Sequence, residues 1–308
     1  MLIEILGSAA GGGFPQWNCA CLNCAALRSG TFPGKARTQT QVAISGDART
    51  WFLLNASPDL RLQIETTQVL HPKHGTRNSP IAGIVLASAD LDQIAGLLSL
   101  RELQRFRIYS TQSLRRILQE ENSAFAMLNR IPKQVEWTTI EADASFALTT
   151  VDGDDSGLRC EAFSIGTRYP FYVKRETNRY AGEEASLGLT FTCRDGKKLV
   201  FLPAICDVNQ ALLERMESAD LLLFDGTFWT DDELIQVQGS GSTARQMGHL
   251  PVSSDDGSLK KLADLRKPRK VFIHVNNTNP MLNESGEEYR AVRAAGWEIA
   301  EDGWSITL

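Results

Sequence analysis

Ile81-Ala-Gly-Ile-Val-Leu-Ala-Ser88-Ala-Asp90-Leu-Asp92-Gln93-Ile94-Ala-Gly-Leu97-Leu98 is the stretch on which the fold turns. Its first part, residues 81–86, is a short apolar run of the kind that forms a strand buried on both faces. Ser88, Asp90 and Asp92 interrupt that run. Ile94, Leu97 and Leu98 then recur at helical spacing, which predicts a helix over 92–102. Two carboxylates at i and i+2 between a strand and a helix can both point at one cation, or can cap the helix. Such a strand-loop-helix unit fits a Rossmann-like sheet or a mixed α/β sandwich.

Short β-type runs recur on both sides of it, at 2–6, 41–44, 51–54, 106–109, 135–140 and 146–151. The second half adds 158–163, 188–193, 199–202, 221–224, 271–275, 297–300 and 304–307. Ser45-Gly-Asp-Ala48 and Cys193-Arg-Asp-Gly-Lys197 read as hairpin turns, because Gly and Asp tolerate positive φ, so early pairing is expected to be antiparallel. Helices are predicted from Ser57 to about Glu65 and over 113–119, 209–216, 231–237, 258–264 and 287–295. Asp152-Gly-Asp-Asp-Ser-Gly157 reads as a mid-chain turn. There are more strands than a doubly wound parallel fold needs, which favours an α/β sandwich of mixed sheets covered by helices. No linker long or polar enough to part independent domains is present, so 1–308 reads as a single domain.

Of the 308 residues, 43% are apolar and 22% charged, the balance of a folded globular chain. A net charge of −5 disfavours broad association with nucleic acid or anionic lipid. No apolar run reaches the eighteen or so residues of a membrane helix. The N-terminus has no basic stretch ahead of an apolar one. A cytoplasmic location is expected.

Three of the six cysteines crowd into Cys19-Ala-Cys21-Leu-Asn-Cys24. Thiolates are soft donors, and three on one short loop can converge on Zn²⁺ at about 2.3 Å with little chain entropy lost. A structural zinc is expected in this loop, residues 19–24, with its fourth ligand open among His71, His74, a remote cysteine and water. Cys160, Cys193 and Cys206 read as small core residues.

Gly7-Ser-Ala-Ala-Gly11-Gly12-Gly13 follows the first strand but has no dinucleotide-binding glycine spacing. It reads as a tight loop lining a pocket, where missing side chains let backbone approach a ligand. Phe14-Pro-Gln-Trp17-Asn18 continues it with residues suited to a planar ligand or to simple packing. Near the C-terminus, Phe224-Asp225-Gly-Thr227 follows one strand, Met247-Gly-His249 sits in a glycine-rich loop, and His274-Val-Asn276-Asn277-Thr-Asn-Pro280 ends another strand. The chain has only four histidines. Two of them at such positions suggest metal or proton chemistry, although each also suits a hydrogen-bonded core role.

Strand, acidic loop, helix, then Asp225 and a late strand-end histidine is the running order of metallo-β-lactamase-like folds. More narrowly, the motif from Gly7 to Cys21, Arg37-Thr-Gln39, Asn55-Ala-Ser-Pro-Asp59, Gly96-Leu-Leu-Ser-Leu-Arg-Glu102, Met247-Gly-His249 and His274 to Pro280 resemble the pyrroloquinoline quinone (PQQ) biosynthesis protein B family. The resemblance runs from Leu2 to Leu308. It implies an αββα sandwich of two mixed sheets flanked by helices, with a metal site at one edge, and a place in cofactor biosynthesis from a ribosomal peptide.

Two functions follow from the resemblance. The first is a non-haem iron oxygenase that hydroxylates a tyrosine-derived peptide intermediate. Asp92 and His274 then hold Fe²⁺ with Asp90 or Asp225 assisting, and His249 acts as acid/base or orients substrate, which makes Asp92 and His249 the catalytic residues. The second is a carrier, in which Gly11, Gly12, Gly13, Arg37, Asn276 and Asn277 grip PQQ or its precursor. Expected partners are the precursor peptide or PQQ itself and other PQQ-pathway enzymes, with no nucleic acid and no membrane.

One departure bears on the metal. The superfamily box His-x-His-x-Asp-His falls on Ser88, Asp90, Asp92 and Gln93, and the quinone family usually has a histidine where Gln93 stands. Asp90, Asp92, Asp225 and His274 are then an oxygen-rich set, which suits Mg²⁺ or Mn²⁺ better than Fe²⁺, with the Gln93 amide oxygen a weak addition. The second cation is thus Fe²⁺ or another divalent ion. Hydrolysis by metal-bound water is a third possibility, disfavoured by the lost histidines.

Overall fold

Ile3 and Ile5, two apart, are fully buried while Leu2 and Glu4 between and before them are half-buried, the period of a strand packed on one face. In a computed structural model that describes residues 1–173 and 179–308, the same logic repeats along the chain. The strands are β1 (Leu2–Gly7), β2 (Gln41–Ser45), β3 (Trp51–Leu54), β4 (Ile81–Val85), β5 (Phe106–Ser110), β6 (Val135–Thr139) and β7 (Ser145–Thr149). They continue as β8 (Asp155–Gly166), β9 (Ser186–Cys193), β10 (Lys198–Leu202), β11 (Leu221–Asp225), β12 (Arg269–Ile273), β13 (Trp297–Ile299) and β14 (Trp304–Thr307). They make two mixed sheets of seven strands each, with flanking helices, the α/β class that the motifs predict. Among the described residues no helix is long and apolar enough to cross a membrane.

The chain divides into two compact units. The first comprises Met1–Leu6, Gln41–Lys197 and Gly303–Leu308. It carries the sheet ordered β14-β1-β2-β3-β4-β5-β6. Pairing is antiparallel for β1 with β14 and β2 with β3, then parallel from β3 through β6. The hairpin at Ser45 forms as predicted: Asp47 Oδ1 accepts from the N–H groups of Arg49 and Thr50 at 2.8 and 2.7 Å. Beyond β3 each crossover carries helical turns, and such crossovers return the chain parallel. Trp51, Leu53, Ile84, Phe106 and Ile108 from these strands, with Leu86 just beyond β4, join Leu114, Ile117 and Leu118 in one buried cluster. Each such side chain contributes roughly 1.5–3 kcal/mol.

The same unit holds β7, β8 and β9 as an antiparallel run. The turn predicted over 152–157 is shorter than that. Thr150 N–H closes it on the Asp154 carbonyl at 3.0 Å, and Asp155 already belongs to β8. Gly157, at φ +77°, sits where the β7–β8 register slips, the usual place for a glycine in a bulge.

The helix predicted over 92–102 is also broken. It forms as Leu91–Ile94 followed by a 3₁₀ segment, Ala95–Leu100. Gly96 lies so close to the Ser57 carbonyl that an added Cβ would stand 2.1 Å from it. Its N–H donates to the Ala56 carbonyl at 2.9 Å while the Gln93 carbonyl takes the Ala56 N–H at 2.7 Å, outside the helix ladder.

The second unit comprises Gly7–Thr40 and Lys198–Asp302. Its strands lie in the order β13-β12-β11-β10 and are all parallel. β11 reads Leu-Leu-Leu-Phe-Asp and is buried at every position, Asp225 included. Phe272 and Trp297 stack at 4.1 Å between β12 and β13. Asp225 pairs in register with Ile273 at the ends of β11 and β12. The residues that leave these two strands, Gly226-Thr227 and His274 onward, therefore run side by side at the carboxyl edge, where α/β sheets place their ligands.

Candidate metal centre

Asp225 is fully buried and accepts four hydrogen bonds. Oδ1 takes the Thr227 N–H at 3.0 Å and the Thr227 hydroxyl at 2.6 Å. Oδ2 takes the Ile205 N–H at 3.0 Å and faces His249 Nδ1 at 2.8 Å. A carboxylate offers about four lone-pair positions, and these four donors fill them. His249 therefore carries a proton on Nδ1, and in the neutral ring the lone pair belongs to Nε2.

His274 is set by the same carboxylate at one remove. Thr227 Oγ1 lies 2.8 Å from His274 Nδ1 and 2.9 Å from the His274 carbonyl. The hydroxyl has a single proton, and the shorter, charge-assisted bond to Asp225 claims it. His274 Nδ1–H then donates to Thr227, which again leaves the lone pair on Nε2.

The two imidazoles are 5.4 Å apart and nearly parallel, and Phe228 meets His249 edge-on at 5.7 Å. Ligand-type atoms of Asp225, His249 and His274 lie within 4.8 Å of one another, and all three residues are buried. With the Asp225 oxygens engaged by their four donors, the metal ligation expected of Asp225 falls instead to the two histidines.

Backbone geometry supports this cluster at a cost. His274 has φ +61°, a left-handed conformation worth roughly 1–2 kcal/mol of strain for a residue with a Cβ. It is held by the Asn276 N–H on the Thr227 carbonyl at 3.1 Å and the Gly226 N–H on the Ile273 carbonyl at 2.8 Å. Asn279 Nδ2 adds bonds to the carbonyls of Gly226 and Thr227 at 3.0 and 3.3 Å. Position 226 must be glycine, because a Cβ there would lie 2.8 Å from that of Phe272.

A second cluster forms in the same unit. The sulfurs of Cys19, Cys21 and Cys24 lie within 4.8 Å of one another, with Cys21 capping the helix Leu22–Arg28 and Cys24 in its first turn. Asn277 Nδ2 stands 3.2, 3.6 and 3.3 Å from these three sulfurs. Asn23 Nδ2 donates to the carbonyls of Asn277 and Asn279 at 3.1 and 3.2 Å. Burial pushes the Cys21 thiol up to about 11. Burial acts on Cys19 too, but the Cys21 N–H and the hydrogen bonds of Cys21, Cys24 and Asn277 outweigh it and hold that thiol below its ordinary range. Three converging sulfurs with no carboxylate among them match the soft donor set of a zinc site.

The remaining predicted residues are placed as follows. Asp90 and Asp92 lie in the first unit at the start of the helix Leu91–Ile94, where Asp90 Oδ2 accepts from Ser88 Oγ at 2.7 Å. Gln93 is buried, and its Oε1 accepts from Asn55 Nδ2 at 2.9 Å and faces Ser88 Oγ at 3.1 Å. Asn55 cannot turn its amide over, because its Oδ1 takes the Ala87 N–H at 2.8 Å. The Gln93 oxygen, predicted as a weak metal donor, is thus engaged within the protein.

Arg37 is buried and donates through Nη1 to Ser8 Oγ at 3.0 Å and to the Ala300 carbonyl. Gly12 N–H donates to Gln39 Oε1 at 3.0 Å, and Gly13 N–H to the Ala10 carbonyl at 3.1 Å; Gly11 is exposed. Asn276 Nδ2 donates to Thr278 Oγ1 at 2.5 Å. Thr227, Asn23 and Glu233, which accepts from Thr278 Oγ1 and the Trp229 N–H, have no role assigned to them by the sequence motifs. Of these only Thr227 carries a signal, a hydroxyl two residues after a buried strand-end acid.

Residues 50–275 match the Beta-lactamase superfamily domain. The chain is 40% identical over 305 residues to the Coenzyme PQQ synthesis protein B of Methylobacterium sp. (strain 4-46), covering 99% of each. It is 43% identical over 312 residues to that of Rhodopseudomonas palustris (strain BisB5), covering 100% of each. This chain belongs to the coenzyme PQQ synthesis protein B family. The crystal structure of Zn(2+)-bound PqqB from Methylobacterium extorquens is 38% identical and covers 100% of both chains with a TM-score of 0.92. A diphosphatase from the PhnP family, 19% identical with a TM-score of 0.67 over 100% of this chain and 97% of its own, shares the fold. The family and the metallo-β-lactamase-like fold implied by the motifs are therefore correct.

Proposed function

We propose that this chain acts in PQQ biosynthesis as a metal-dependent oxygenase that hydroxylates a tyrosine-derived peptide intermediate. Zinc is held by Cys19, Cys21 and Cys24, and a second divalent cation, Fe²⁺ foremost, by Nε2 of His249 and His274. The observation that carries the reading is the buried carboxylate of Asp225, which fixes the Nδ1 proton of His249 directly and that of His274 through Thr227. Metal-ligating histidines are commonly oriented by such a carboxylate.

When bound, iron supplies the one-electron chemistry by which oxygen reacts with an aromatic ring. The protein's own groups do the rest. Asp225 and Thr227 prevent both rings from turning or changing tautomer, and Phe228 covers one edge of His249. Substrate and partners on this reading are the precursor peptide and the other enzymes of the pathway, in the cytoplasm. The carrier alternative has less support, because Arg37, Asn276 and Asn277 direct their polar groups at Ser8, Ala300, Thr278 and the thiols.

Anaerobic titration of the metal-free protein with Fe²⁺, followed by exposure of a tyrosine-containing peptide to oxygen, tests the reading. Stoichiometric iron and an oxygenated product are expected, both lost in His274→Ala. No stoichiometric iron and no turnover, alongside micromolar affinity for the quinone, would establish the carrier instead.

A further inference from the structure

The segment that leaves β12 touches both donor clusters. His274 opens it, among Asp225, Thr227 and His249. Asn277, three residues later, points its amide at the three thiols. Little slack lies between them. Asn276 is tied by its N–H to the Thr227 carbonyl at 3.1 Å. Thr278 Oγ1 donates to Glu233 Oε1, whose other oxygen takes the Trp229 N–H at 2.6 Å. Asn279 is bonded to the backbone of Gly226 and Thr227. From the opposite side, Asn23 clamps the carbonyls of Asn277 and Asn279 at 3.1 and 3.2 Å.

We propose that the cysteine cluster is the brace of the histidine centre: a zinc ion among the thiols fixes Asn277, and Asn277 fixes the left-handed backbone at His274. The inference rests on the zinc and second-cation reading above. A backbone in a sparsely populated conformation persists only where its surroundings over-determine it. The surroundings of His274 include a loop that ends on three sulfurs. Without a cation nothing ties the three sulfurs to a single point, and the loop that carries them holds Asn277 only through the contacts of its amide. With zinc the three are drawn together, and the segment from Asn277 back to His274 has a single arrangement. Coupling of this kind is reciprocal, so a cation on the histidines tightens zinc at the thiols by the same factor.

The test uses full-length protein stripped of metal under reducing, anaerobic conditions. Zn²⁺ is added below stoichiometry, with thiol occupancy followed in parallel by Co²⁺–thiolate absorption. Imidazole and backbone NMR signals of His274, assigned with His274→Gln, are recorded as the thiols fill. They are expected to shift and sharpen in the unaltered protein and to stay put in Asn277→Ala. In the same samples zinc at the thiols should raise Co²⁺ affinity at the histidines about tenfold, a coupling of about 1.4 kcal/mol. That gain should fall below twofold in Asn277→Ala and in Asn23→Ala, a milder variant that leaves every sulfur contact of Asn277 in place. His274 signals indifferent to thiol occupancy, or an undiminished gain in both variants, would overturn the brace. If the signals respond while the histidines take no Co²⁺ in any state, the brace stands and the second-cation reading falls.

Discussion

His249 Nδ1 lies 2.8 Å from Oδ2 of Asp225, the carboxylate whose other oxygen holds the Thr227 hydroxyl at 2.6 Å. One buried acid thereby orients both imidazoles of the centre. In Asp225→Asn an NH₂ group must face either the Thr227 donors or those of Ile205 and His249, and donor then meets donor. Cation affinity should fall 10–100-fold, the usual effect of losing such an orienting partner. Fold stability should drop by about 1–3 kcal/mol for the donors left unpaired. Co²⁺ titration and urea unfolding read the two effects separately. Unchanged Co²⁺ affinity would remove Asp225 from the orienting role.

Glu233 should make stability depend on pH. It is 5% exposed, and burial pushes its carboxyl up to about 7. The folded state thus holds the proton more tightly than the unfolded chain, whose glutamates titrate near pH ~4.3. Stability from this group is fully present below the unfolded value and is lost as pH rises through about 7. Between about pH 5 and pH 8 the loss should be about 2–3 kcal/mol. Glu233→Gln keeps an acceptor for the Trp229 N–H and a partner for Thr278, and should flatten that slope. Urea unfolding across this range decides; parallel curves for the two proteins would show that Glu233 does not titrate in it.

Zinc removal should weaken the fold through the cysteine loop. A ligand present at a thousandfold over its Kd stabilises by about 4 kcal/mol, so stripping the thiols should lower the melting temperature of the intact protein. In Cys24→Ser, where a fully buried sulfur is replaced by a weaker donor, chelator should have little further effect. Equal sensitivity to chelator in both proteins would place the stabilising metal elsewhere.

Element order is legible from local chemistry. Leu-Leu-Leu-Phe in β11 and Ile-Ala-Gly-Ile-Val in β4 are apolar throughout, and both lie in parallel regions of sheet. Asp225 and His274 are legible for a related reason, since a polar group at a strand end stands at a sheet edge, while His249 is marked only by its glycine-rich loop. Long-range contacts are not legible. The break of the helix after Ile94 accompanies backbone bonds between Gly96 and Gln93 and the distant Ala56, which no local pattern announces. Asn277 reads as a residue that grips a ligand, yet it meets a sulfur 258 positions away. Gln93 reads as a stand-in donor for a lost histidine, whereas its oxygen belongs to Asn55.

Asn55 allows strain and hydrogen bonding to be separated at one position. Its Nδ2 serves Gln93, its Oδ1 serves the Ala87 N–H, and its backbone sits at φ +65°. Asparagine tolerates that conformation better than most residues, because its short polar side chain bonds locally. Asn55→Ala removes both bonds inside a buried site and puts an ordinary Cβ at positive φ. The cost should be about 2–4 kcal/mol, mainly from the unpaired groups of Ala87 and Gln93, with about 1 kcal/mol from the backbone. Asn55→Gly removes the same bonds but suits the backbone, so it should recover only that smaller part. Urea unfolding of the two variants measures the division. Full recovery in Asn55→Gly would mean that the Gln93 and Ala87 bonds contribute nothing, and that strain alone accounts for the asparagine.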